Sequence, residues 1–307
     1  MKAGFKQLPL PLAGEGRDGV NVMQQLSTVI AITLALACAC NEKEDDGQDA
    51  STDSDAATDS DVDSDTDGDT DSDTDTESDA GTEEDAGDYS QNVADEVVDA
   101  PGHTGEGLGD SSNATNGVHG GGSSTGNTVD VFSLGYVEGV DNYIVLGWSG
   151  RLVENGPGTD FAVFENAFLI GAGPASFMDH VVIFLSLDGT TWVPLPHDYT
   201  NLDETTYSQL PDKWQGFAGV NPVYYNADSN PVDPFDFSAA GGDHFDLDDL
   251  PDDGGDAQAI KTGGFTYIKL VTAPSMANPD TGANYVHDPI SNGADIDGVL
   301  ARYLSDG

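Results

Sequence analysis

Three glycine-flanked acidic stretches hold most of the side chains in this sequence that could do chemistry. The first, GPGTDFAVFENAF, carries Asp160, Glu165 and Asn166; the second, GGDHFDL, carries Asp243 and Asp246; the third, GADIDGV, carries Asp295 and Asp297. Hard oxygen donors at this density suit a calcium ion, which takes about six to eight oxygens and is abundant outside cells at levels matched to weak sites. Ca2+ is therefore the expected cofactor, with those seven residues as candidate ligands. Each group also has a plain structural use. Asp243 can cap a helical turn over Phe245–Leu250, and Asp295 and Asp297 can lie on one strand face and meet only water.

Other chemistries find little support. The six histidines, His103, His119, His180, His197, His244 and His287, are scattered singly, and no H-E-x-x-H pair exists. Gly147-Trp148-Ser149-Gly150-Arg151 is not a nucleophile elbow, because Arg151 stands where the motif requires glycine. Gly120-Gly121-Gly122-Ser123-Ser124 lacks the lysine of a phosphate loop. Both cysteines, Cys38 and Cys40, are near the N-terminus, so no thiol chemistry is available downstream. No catalytic residue is assigned. Paired carboxylates would suit polysaccharide hydrolysis, but in so acidic a chain such pairs arise by chance. For a ligand, Trp148, Tyr207, Trp214, Tyr224 and Tyr225 offer aromatic faces of the kind that meet sugar rings, unless they pack loops onto the core.

The elements that must position these residues read as strands. Short apolar runs punctuated by Gly and Pro predict strands near Val129–Val137, Asn142–Trp148, Asp160–Glu165, His180–Leu187, Trp192–Leu195, Phe265–Thr272 and Ile296–Tyr303. Such spacing predicts an all-β fold, an antiparallel β-sandwich or jelly roll with long loops. Between Pro196 and Gly264 strand signals are few, although Phe217–Val220 and Pro222–Tyr225 are candidates. The Asp188-Gly189 pair between β-rich runs predicts a tight hairpin. Strand alternation puts Glu165 on one face and Asp160 on the other, so both can serve one ion only if a bulge or strand end intervenes.

Charge divides the chain. Of 56 acidic residues, 25 fall between Glu42 and Asp99 against the single base Lys43, and 29 lie from Ala100 onward against five bases. The net charge of -47 disfavours nucleic acid as a partner. The first block, rich in Asp, Ser and Thr, has no apolar periodicity and is expected to be a disordered, self-repelling stalk over residues 41–100. Its Asp63-Ser64-Asp65-Thr66-Asp67-Gly68 register opens like a calcium loop, but Thr74 stands at the twelfth position instead of glutamate. Residues 1–40 are read as a signal-peptide and anchor region, with Met23 as an alternative start, and residues 101–307 as the β domain. The apolar run Leu26–Cys40 is too short to span a bilayer comfortably.

Leu34-Ala35-Leu36-Ala37-Cys38 resembles the lipobox of bacterial lipoproteins, which implies lipidation at Cys38, with Cys40 as the rival. Ser186-Leu187-Asp188-Gly189-Thr190-Thr191-Trp192 and Phe265-Thr266-Tyr267-Ile268-Lys269-Leu270 resemble two strands of discoidin-like, galactose-binding jelly rolls. The three acidic stretches, together with Asp130-Val131-Phe132-Ser133-Leu134-Gly135, resemble a family of uncharacterised bacterial cell-surface lipoproteins. That resemblance implies a chain held by a lipid at the outer membrane or cell surface, with a stalk and one β domain. The expected function is binding of a glycan or other surface polymer, with calcium as a structural ion. A secreted polysaccharide hydrolase and a purely structural or adhesive envelope protein are the alternatives.

Overall fold

The computed structural model describes residues 87–103, 108–126, 130–136, 142–291 and 293–307. All of these lie in the unit Ser78–Gly307, whereas the unit Met1–Glu77 falls outside them. The expected signal segment, both cysteines and most of the expected stalk therefore lie outside the described residues.

Two antiparallel sheets form a sandwich. The first has five strands: β1 (Glu96–Asp99), β3 (Tyr143–Gly147), β13 (Tyr267–Thr272), β8 (Val181–Ser186) and β9 (Val193–Pro194), adjacent in that order. The second has four, in the order β12 (Asp243–Phe245), β5 (Phe161–Glu165), β14 (Asp295–Ala301) and β2 (Phe132–Ser133). Three small ribbons complete the strand set: β4 (Arg151–Val153) with β15 (Leu304–Asp306), β6 (Phe168–Leu169) with β7 (Ser176–Phe177), and β10 (Asp198–Tyr199) with β11 (Trp214–Gln215).

The core follows from side-chain alternation. In β13 Ile268, Leu270 and Thr272 are buried while Tyr267, Lys269 and Val271 are half-buried, the two-residue period of a strand covered mainly on one face. Ile144, Leu146, Ile183, Leu185, Ile268 and Leu270 meet Phe161, Val163, Val299 and Ala301 from the facing sheet. Strand β5 is buried at all five residues, so its outer face is covered too. Ala162, Phe164 and Leu300 pack there under Val223, Tyr225, Phe235 and Ala240, which all come from the long 196–264 stretch.

That stretch is more ordered than its sequence suggests. It supplies β12 at the edge of the second sheet and an eight-residue helix, Asp256–Gly263, which buries Ala257 and Ile260. Two buried positions on so short a helix leave almost no periodic trace in the sequence. Ala218 and Val223 make single bridges, to Val181 and Gly241, instead of strands. Before the boundary expected at residue 101, β1 already pairs with β3 and Ala94 is in the core. Its acidic residues face outward, which hid the strand inside the charged block.

The Asp188-Gly189 turn is wider than expected, because β8 ends at Ser186 and β9 begins at Val193. Asp188 organises it by accepting from the backbone N–H groups of Thr190 and Thr191 at 2.8 and 2.7 Å, while Gly189 takes a positive φ of 72°. These bonds hold its carboxyl well below the usual range.

Candidate functional site

The decisive local feature is a bulge in β14. Ile296 lies opposite Glu165 and Gly298 opposite Phe164, so Asp297 is an extra residue on that strand. The insertion lets Ile296 and Val299 both face the core. It also separates the two acids that regular alternation would put on one face. Asp295 stays at the start of β14 beside Glu165. Asp297 instead takes the backbone N–H of His119 on both oxygens, at 3.1 and 3.0 Å. Burial and the nearby charge of Asp130 push Asp297 up to about 7, partly offset by the His119 bond.

Glu165 is 2% exposed at the end of β5. Its Oε1 accepts from the Asp295 backbone N–H at 3.0 Å, but its Oε2 is buried with no hydrogen-bond partner. Oδ1 of Asp295 is orphaned in the same way, although the carboxyl also interacts with the Ser133 and Asn166 side chains. Burial raises Glu165 well above its ordinary value, and the charges of Asp179 and Asp295 raise it further. Asp179, which the Ser291 hydroxyl contacts, is itself raised to about 7, chiefly by burial and also by Asp295 and Asp288. Beside Asp179 a cavity of about 10 Å³ is lined by Asp288, Ser291, His180 and Tyr207. His180 is buried, stacked 3.6 Å from Trp214, and held neutral by desolvation, which pushes its pKa well down.

Among the described residues no lysine or arginine offsets these acids. Arg151 reaches Asp95, Lys213 pairs with Asp212, Lys261 with Asp252, Lys269 lies 4.1 Å from the Trp192 ring and Arg302 lies over Phe235. Those five are all the cations after residue 100. Among the described residues, no group of three or more Asp, Glu, His or Cys side chains is arranged to close on one ion.

The other expected ligands are engaged elsewhere. Asp160 sits at the opposite end of β5, about 17 Å away at strand rise. Its Oδ1 accepts from Gly156 N–H and its Oδ2 from Leu247 N–H, both at 2.7 Å. Asp243 accepts from Gly219 and Val220 N–H at 2.8 and 3.0 Å and from the Asn221 amide at 2.8 Å. Desolvation raises both carboxyls to about 6 against those hydrogen bonds. The helical turn expected over 245–250 exists as Leu247–Asp249, and Asp246, not Asp243, caps it. Asn166 remains at the Glu165 end, its backbone N–H bonded to the Asp295 carbonyl at 3.1 Å. The structure thus brings Glu165, Asn166 and Asp295 together and keeps Asp160, Asp246 and Asp297 apart from them. Asp243 touches the group only through the loop it holds: a Cβ on Gly219 would come 3.3 Å from Cγ of Glu165.

Most of the expected aromatic platforms are interior. Trp148 is fully buried and donates its indole N–H to the Asn92 carbonyl at 2.9 Å, while Trp214 donates to Ser208 at 2.9 Å. Tyr225 packs on Phe164, and Tyr207 donates its hydroxyl to the Met178 carbonyl at 2.7 Å. Tyr224 is half-buried.

The open concavity lies instead beside β12. It is a cleft of about 470 Å³ lined by Phe237, His244, Asn221, Asp246, Asp249 and Asp212, among others. Phe237 is 52% exposed and meets the His244 ring edge-on at 5.6 Å. Nε2 of His244 donates to the Gly241 carbonyl at 3.1 Å, and burial lowers its pKa, so the ring is neutral. Sequence reasoning missed Phe237, Asp179 and Asp288, which lie outside the three acidic stretches, and counted His244, inside GGDHFDL, only among the singly scattered histidines.

No protein-family model matches the chain, and no curated protein matches its sequence.

Proposed function

We propose that the chain is a lipid-anchored bacterial surface protein whose β-sandwich is a non-catalytic module for a neutral glycan or similar hydroxyl-rich polymer. The observation that carries the reading is the cleft beside β12, where the half-exposed Phe237 stands over a neutral His244 among Asn221 and carboxylate oxygens. An apolar ring supplies a face for the C–H side of a sugar, and surrounding amide and carboxylate groups accept or donate to its hydroxyls. Carboxylates on the rim and a net charge of -47 disfavour anionic polymers. Asp243 at the base of the cleft has both oxygens committed to three donors, which supports binding over acid–base chemistry there.

Outer-membrane or cell-surface placement rests on the lipobox-like run ending at Cys38 or Cys40 and on the acidic block that follows it. The likeness to uncharacterised surface lipoproteins is part of the same reading. Among the described residues no helix is long and apolar enough to cross a membrane.

A glycan array probed with the full mature chain tests the proposal, with Phe237→Ala as the companion. The expected result is retention on one class of neutral glycan, and a loss of about tenfold or more in the variant at unchanged melting temperature. Absence of binding to every glycan, equal binding by the variant, or cleavage of the bound polymer would overturn it.

A further inference from the structure

We propose that the end of β5 holds a calcium ion, with Oε2 of Glu165 and Oδ1 of Asp295 as its anionic ligands. The site is separate from the cleft and does not depend on the glycan reading.

The first observation is electrostatic. Glu165, Asp179, Asp288 and Asp295 are gathered at one end of the second sheet, and all five cations of the domain are engaged elsewhere. Buried carboxylates are normally paired or bound to metal. The second is geometric and independent of the first. Glu165 is 2% exposed, one of its oxygens is fixed by Asp295 N–H, and the other is buried without a partner. Oδ1 of Asp295, on the strand directly beside it, is orphaned as well. Ser133 and Asn166 serve the Asp295 carboxyl in part, but a buried oxygen such as Oε2 of Glu165, with spare lone pairs and no donor, requires a cation or a proton.

Calcium suits the remaining chemistry. A site without three convergent Asp, Glu or His side chains does not offer the compact nitrogen or sulfur set that zinc prefers. Calcium fills its shell with neutral oxygens, namely backbone carbonyls, side-chain amides and water, around as few as two carboxylates. The loop Phe217–Asn221 closes over the centre, because Gly219 lies against both the Asp179 carbonyl and Cγ of Glu165. The site would then join β5, β14 and that loop, which have no direct side-chain ion pair between them.

The test compares the full mature chain with Glu165→Gln. The amide keeps an oxygen for Asp295 N–H but replaces the free oxygen with a donor. In 5 mM CaCl2 against excess chelator, the parent should melt roughly 3–6 °C higher, and E165Q should show no shift. The acidic stalk is the same in both proteins, so diffuse cation binding cancels in the difference. Terbium luminescence sensitised by Tyr207 and Trp214 gives a second readout, and calcium should quench it in the parent only. Should E165Q fail to fold, Asp295→Asn carries the same two measurements. An unchanged melting point of the parent, or an equal shift in the folded variant, would overturn the site and leave a proton as the occupant.

Discussion

Strand β5 ends on a buried carboxylate at each side, and the two ends have opposite fates. At its start, Asp160 spends both oxygens on backbone donors, Gly156 N–H and Leu247 N–H, tying the GPG turn and the Leu247–Asp249 turn to the sheet. At its finish, Glu165 spends one oxygen on Asp295 N–H and leaves the other with nothing. Both are carboxylates shut away from solvent, one just before β5 and one at its last residue. What differs is the supply of donors, which at the first end come from two loops folding back and at the second are replaced by further acids. A buried acid is thus part of the scaffold when its lone pairs are filled and a binding element when they are not.

The sharpest way to break the comparison is to truncate the scaffold end. Asp160→Ala leaves two N–H groups unsatisfied and should cost about 2–4 kcal/mol, seen as a fall of roughly 4–15 °C in melting temperature. Glu165→Gln should cost far less without calcium, since no donor loses its partner. Equal losses at both ends would mean that Glu165 is structural in the same sense as Asp160.

The filled ends also make a pH prediction. Burial raises Asp160 and Asp243 from the ordinary 3.8 to about 6 in the folded chain. The folded state therefore binds these protons more tightly than the unfolded one. Their contribution to stability is complete below about pH 4 and is lost as the pH rises through about 6. In chelator, melting temperature should fall between pH 5 and pH 7.5, as the pair loses on the order of 2–4 kcal/mol of stability. Asp160→Asn with Asp243→Asn should remove that share of the slope and leave the part that belongs to Glu165, Asp179 and Asp297, which burial also raises. A rising profile over this range would show that the hydrogen bonds outweigh desolvation.

How much of this was legible in the sequence differs by kind of feature. The sandwich was legible, since period-two runs such as Ile268 and Leu270 must bury one face and the Gly and Pro breaks bound them. The cover over the outer face of β5 was legible from its unbroken apolar run, and the long loop does supply it. The Glu165–Asp295 contact was not, because 130 positions separate the residues and a one-residue bulge at Asp297 sets which acids face each other. Nor was the burial of Trp148 and Trp214, whose indoles bond to carbonyls that only the tertiary fold brings near. Composition identifies an aromatic but not whether it faces out, which is why Phe237 escaped notice.

The smallest effect belongs to one of the two glycines that flank the ends, and the contrast between them is the test. Gly158, beside Asp160, and Gly219, beside Glu165, both hold positive φ, at 79° and 77°. Around Gly158 a Cβ would meet nothing within 4 Å, whereas at Gly219 it would fall 2.2 Å from the Asp179 carbonyl oxygen. Gly219→Ala should therefore displace the loop that covers the carboxylate centre, costing several times the left-handed backbone penalty and removing any response to calcium. Gly158→Ala should cost only that penalty, about 1 kcal/mol, with the calcium shift intact. Paired melting curves of the two variants, each with calcium and with chelator, separate the backbone term they share from the packing that belongs to the Glu165 end alone. A calcium response preserved in Gly219→Ala would show that the loop is a cover the ion does not need.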